Sequence, residues 1–178
     1  MHSTVITFWF NELEPNQWWQ KDGALDSAIT KRFGDLHQQA KVGELFSWRQ
    51  TAIGSLAEVI VLDQFSRNIY RDTPDAFSCD PLALALSQAA ISKGFDQALS
   101  PIERGFFYLP FMHSESALIH QEAVKLYQAL GLPSSLEFEM QHKAIIDRFG
   151  RYPHRNDILG RVSSAEERAF LTEPNSRF

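Results

Sequence analysis

Cysteine is nearly absent: Cys79 is the only one in 178 residues. An intramolecular disulfide is excluded, so packing and hydrogen bonds must hold the fold, and a reducing, cytoplasmic setting is expected. Long apolar runs are missing too. Nothing approaches the roughly 20 residues a membrane span needs. The opening stretch MHSTVITFWFNELEP has no basic leader and reaches Glu12 too early for a secretory signal. There is no GxGxxG or GxxxxGK loop and no GxSxG elbow, so dinucleotide, P-loop and α/β-hydrolase chemistry have no signature. Positive charge is in deficit, with 17 Lys and Arg against 22 Asp and Glu. A net charge of -5 repels a phosphate backbone and argues against nucleic acid as a partner.

Core material is abundant: 44% of the chain is apolar and 12% aromatic, with 14 Phe and 4 Trp. A chain of this length buries roughly 70% of its unfolded surface, enough for one domain spanning 1–178. The apolar spacing is helical. Leu25, Ile29, Phe33, Leu36 and Ala40 mark one face of a helix over 23–40. Further helices are predicted over 51–66, from an Asp80 cap with Pro81 at its first position to about 94, and from a Ser100/Glu103 capping box to a bend or stop near Pro110. Three more follow over 114–130, 136–149 and 163–171, the last from a Ser163/Glu166 box. Residues 5–10 have strand-like composition but no partner strand, so a short helix or extended lead-in is predicted. The fold class is therefore all-α, about seven to nine helices in antiparallel pairs.

One phrase is written twice. LDQFSRNIYR (62–71) and IDRFGRYPHR (146–155) share D-x-F-x-R-x-x-x-R behind an aliphatic run. On a helix, Asp63 with Arg67 and Asp147 with Arg151 are spaced for ion pairs, while Arg71 and Arg155 lie beyond the helix end. Arginines at helix ends also satisfy orphan carbonyls, so a purely structural use of the phrase stays open. The second copy carries more cation. From His142 to Arg161 five Lys and Arg face two Asp, a local +3 in a chain of -5.

Guanidinium forks match carboxylate and phosphate oxygens in pairs. Arg67, Arg71, Arg151, His154, Arg155, Asn156 and Arg161 are thus candidate ligands for a small anionic molecule. His113, Glu115, His142 and Asp63 are candidates for acid–base chemistry. A pocket is expected where the two copies and the His113 loop, in LPFMHSE (109–115), converge. The alternative is an interaction module whose groove takes an acidic peptide. RNA binding through 151–161, with Tyr152 as a stacking ring, is a third and weaker reading. His113, His120 and His142 with nearby carboxylates make a metal site only on paper, since their spacing matches no ligand motif. No residue pattern names a cofactor.

The set FWF (8–10), Trp18-Trp19, LDQFSRNIYR, CDPLALAL (79–86), LPFMHSE and IIDRFGRYPHRNDILGR (145–161) resembles a widespread bacterial family, domain of unknown function number 924. The likeness spans nearly the whole chain. It implies a helical fold similar to tetratricopeptide-repeat proteins and carries no activity or catalytic residues with it. A duplicated helix-pair unit would explain the echoed phrase.

Overall fold

Residues 5–10 show context overriding composition. In the computed structural model, which describes residues 1–174 and 176, they belong to α1 (His2–Thr7) and to a π-turn over Phe8–Glu12. Among the described residues there is no strand to pair with, and a helix closes its own backbone bonds. The aromatic rings then become core: Phe8 packs on Phe33, and Trp9 on Phe65 and Phe106.

Helix α2 (Gly23–Lys41) opens where Asp22 accepts the backbone N–H groups of Ala24 and Leu25. α3 (Ala52–Ile60) opens at Thr51, whose hydroxyl accepts from Gly54 N. The rod predicted over 51–66 does not stop there. It widens into a π-turn over Val61–Phe65 and continues as α4 (Ser66–Ile69). Ser66 keeps helical dihedrals, so the first copy of the phrase stays on the helix.

α5 (Asp80–Ile91) begins one residue earlier than predicted: Cys79 holds the cap position and Asp80 is the first helical residue, its carboxylate used elsewhere. α6 (Pro101–Met112) has the Ser100/Glu103 capping box and runs past Pro110. A proline in the last turn costs one intrahelical bond, and the helix tolerates it. α7 (Ala117–Leu130) ends at left-handed Gly131, and Pro133 then opens α8 (Pro133–Phe149) at its first position. Left-handed Gly150 ends α8. The final box is Ser164 with Glu167, one residue later than predicted, and leads into α9 (Ala165–Phe170).

Helices α5 to α8 pack as consecutive neighbours, while α1 and α2 close over α3, α4 and the π-turn between them. The rod is buried almost all round: Leu56, Ile60, Leu62 and Phe65 are inaccessible or nearly so. Burial of each such side chain contributes roughly 1.5–3 kcal/mol. A second, smaller cluster of Ile145, Ile146, Tyr152 and Phe170 anchors the segment after α8. The second copy of the phrase is thereby laid against the end of α6.

Candidate functional site

Asp63 occupies the π-turn and is only 1% exposed. Its Oδ1 lies 2.7 Å from His113 Nδ1, and Gln64 Nε2 donates to its Oδ2 at 2.6 Å. A carboxylate only accepts, so His113 Nδ1 carries the hydrogen and Nε2 presents its lone pair. That nitrogen makes no hydrogen bond among the described residues. Burial, together with the Arg67 charge, lowers the His113 pKa despite Asp63, so the ring is neutral at neutral pH. Burial alone would raise the Asp63 pKa, but Arg67 and His113 hold it well below the usual carboxylate range.

Arg67, four residues on, reaches 3.3 Å from Asp63 Oδ1 and donates to its backbone carbonyl at 3.0 Å. It also forms a two-pronged pair with Asp80, at 2.9 and 3.0 Å. The second copy arrives at the same carboxylate. Arg155 Nη1 stands 3.4 Å from Asp80 Oδ2, and Nη2 donates to the His113 carbonyl at 3.1 Å. Its guanidinium is sandwiched between Phe77 and Tyr152, each ring centre 4.6 Å from Cζ. Buried Arg155 Nε has no hydrogen-bond partner among the described residues. Burial, with Arg67 nearby, lowers the Arg155 pKa, as expected of an incompletely compensated cation. Arg67 and Arg155 balance Asp63 and Asp80, and His113 stands neutral among them.

A second tier adjoins this one. Arg161 grips Glu115 at 2.6 and 2.9 Å, and Tyr152 N donates to the same carboxylate at 2.7 Å. These bonds outweigh desolvation and keep Glu115 ionised. Asn156 accepts from Arg161 Nε and donates to Ser163. Tyr152 is buried, its hydroxyl donating to Met112 O at 2.5 Å with His120 Nε2 at 3.2 Å. His120 Nδ1 faces Glu139 at 2.7 Å in a fully buried pair. The His142 Nδ1–H donates to Phe138 O, and burial pushes its pKa down to about 3. The His154 ring lies beside Tyr152.

The predicted set is thus divided. His113, Asp63, Arg67 and Arg155 converge, with Glu115, Arg161 and Asn156 next to them and His142 behind. Arg71 does not join them: it binds Asp26 of α2 at 2.5 and 2.7 Å, where Asn68 also donates. Arg151 binds Glu167 at 2.6 and 2.8 Å, and Asp147 pairs with Lys143 instead. The reason is Gly150, at a φ of 67°, which takes Arg151 off the helix axis. Buried Tyr152 offers no ring to an RNA base. Among the described residues, no three His, Cys, Asp or Glu side chains converge as metal ligands.

Asp80 is the residue that sequence reasoning missed. In CDPLALAL it reads as a helix cap, and nothing local shows that two distant guanidiniums claim it. Each arginine named above has a carboxylate partner, so the charged seam is paired, and its open chemistry rests on His113 and the 20% exposed side chain of Arg67.

No helix among the described residues is long and apolar enough to cross a membrane. No curated protein matches this chain. Its structure is similar to that of a protein of unknown function, ATU0120 from Agrobacterium tumefaciens, with a TM-score of 0.92, 42% identity and 96% of each chain covered. A family model described as a bacterial protein of unknown function, DUF924, matches residues 5–175. The chain belongs to that family.

Proposed function

We propose that the protein binds a small phosphate- or carboxylate-bearing molecule at the seam between the two motif copies, with His113 as a general base. One observation carries this reading: an Asp–His pair with its second nitrogen uncommitted, beside two guanidiniums. A carboxylate that fixes the imidazole tautomer leaves Nε2 as the proton acceptor, and a depressed pKa keeps it available at neutral pH. His113 and Arg67 are partly exposed, with side chains 15% and 20% accessible, beside Asp80 at 14% and Glu115 and Arg161 at 24%. They would meet the ligand, with Arg67 holding the anion and Arg155 bracing the loop behind. Asp63 orients the base. Glu115, Arg161 and Asn156 fasten the wall that carries Arg155. A cytoplasmic setting suits this reading and the lone buried cysteine.

The alternative, a tetratricopeptide-like module gripping an acidic peptide, has less support, because it gives no use to the uncommitted nitrogen of His113.

The test is a thermal-shift screen of phosphate- and carboxylate-bearing metabolites. A ligand at 100 times its Kd adds about 2.7 kcal/mol to native stability. Arg67→Lys is expected to abolish the shift, since an ammonium cannot reproduce the fork. His113→Asn is expected to keep binding and remove turnover. Arg155→Ala is unsuitable as the primary variant, because truncating a buried guanidinium empties the space between Phe77 and Tyr152. If no compound in the screen stabilises the protein at millimolar concentration, the reading fails.

A further inference from the structure

Arg71 leads to a different place on the molecule. Ser27, Thr30 and Lys31 of α2, with Asn68, Ile69 and Arg71 after the π-turn, line a shallow, wide-open surface groove whose lining includes Asp26. Asp72, at a φ of 62°, turns the chain just beyond Arg71, which its bonds to Asp26 hold against α2.

The polar groups of the groove are only partly used. Arg71 gives Nε and Nη2 to Asp26, which leaves Nη1 without a partner among the described residues. Lys31 is exposed and forms no ion pair among the described residues. Asp26 cancels one of these two cations, so the lining keeps an excess of one positive charge against a net -5 for the chain. The hydroxyls of Ser27 and Thr30 donate to the backbone carbonyls of Gly23 and Asp26. Their oxygens therefore offer lone pairs, not hydrogens, to anything in the groove. Two cationic donors beside two hydroxyl acceptors match an anion attached to a hydroxyl-bearing body.

We propose that this groove is a second small-molecule site, for a hydroxylated compound carrying a phosphate group. Lys31 and Arg71 Nη1 take the phosphate oxygens, and Ser27 and Thr30 accept from the ligand's hydroxyls. This site is independent of the seam around His113.

Isothermal titration calorimetry on the full chain tests it, with glycerol 3-phosphate as the probe beside inorganic phosphate and glycerol. Saturable binding of glycerol 3-phosphate is expected, tighter than that of inorganic phosphate, with none for glycerol. Lys31→Glu, an exposed change checked for folding by circular dichroism, is expected to weaken binding by at least about tenfold. Arg67→Lys, which is expected to abolish binding at the seam, is expected to leave it unchanged. Absence of saturable binding overturns the site, as does binding that ignores Lys31→Glu or disappears in Arg67→Lys. Equal affinity for inorganic phosphate overturns the role given to Ser27 and Thr30.

Discussion

Arg67 and Arg155, one from each copy of the repeated phrase, donate to the same oxygen of Asp80, at 3.0 and 3.4 Å. The echo is therefore an intramolecular contact. One copy supplies an arginine from within a helix, the other from beyond a helix end, and a carboxylate of α5 joins them.

Asp80→Asn leaves two buried guanidiniums short of charge. Breaking a buried pair by removing one partner costs about 3–5 kcal/mol. Urea unfolding at neutral pH is expected to show a loss of that order. Asp75→Asn, at an exposed position in the same region, is expected to stay within about 0.5 kcal/mol of the parent.

Acid destabilises the fold through its histidines before its carboxylates. Ser66 Oγ donates to Leu62 O, so His37 Nε2–H donates to Ser66, and buried Nδ1 is left without a hydrogen-bond partner among the described residues. Burial pushes the His37 pKa down to about 4 and that of His142 to about 3, and also lowers that of His113. The unfolded chain takes up these protons near pH 6.5 and the native state does not. Stability is thus fully present above 6.5 and falls as the pH drops towards 4, by up to about 1.4 kcal/mol per pH unit for each such histidine. Asp63 and Glu115 have lowered values, so their contribution is lost only at more acidic pH. Glu139, raised by burial, acts with the opposite sign, its native form gaining as the pH falls through its elevated pKa. Urea midpoints between pH 7.5 and 5 check the slope, and His37→Gln is expected to flatten it.

Arg161→Ala removes both prongs on Glu115 and the bond to Tyr152 O. Hydrogen bonds to charged groups are worth about 1.5–3 kcal/mol. Hydrogen exchange over 151–161 is expected to accelerate selectively, with α3 and α6 protected as before. Uniform acceleration through the core would contradict a local fastening role.

Gly150→Ala and Gly34→Ala are expected to have opposite signs. Gly150 has a φ of 67° and open space where a methyl would stand, so the cost is conformational, about 1–2 kcal/mol. Gly34 lies inside α2 with nothing within 4 Å of an added Cβ, and alanine there is expected to stabilise by about 0.5–1 kcal/mol. Thermal unfolding of the two single variants decides it.

The helices were legible because their signals are local. Pro81 at a helix start and the Ser100/Glu103 box act within one turn of themselves, and the apolar period over 23–40 needs no knowledge of neighbours. The errors were local too: Asp80 is the first helical residue and not the cap, and the last box is displaced by one residue. The π-turn at 61–65 had no sequence signature, since nothing in VLDQF distinguishes it from ordinary helix. It carries Asp63 to the end of α6, which places the candidate base.

From its sequence alone this chain is all-helical, and its arginines, histidines and carboxylates gather around helix ends. Helices form on contacts three and four residues apart, which any window of the chain contains. Partnership is a different matter. Arg67 and Arg151 hold equivalent places in the repeated phrase, yet one meets Asp80 and the other Glu167, because Ser66 keeps the helix going and Gly150 ends it. Arg71 and Arg155 are likewise equivalent in sequence and part company, one onto α2 and the other into the seam. Long-range ion pairs depend on which surfaces the packed helices bring face to face, and only the tertiary structure decides that.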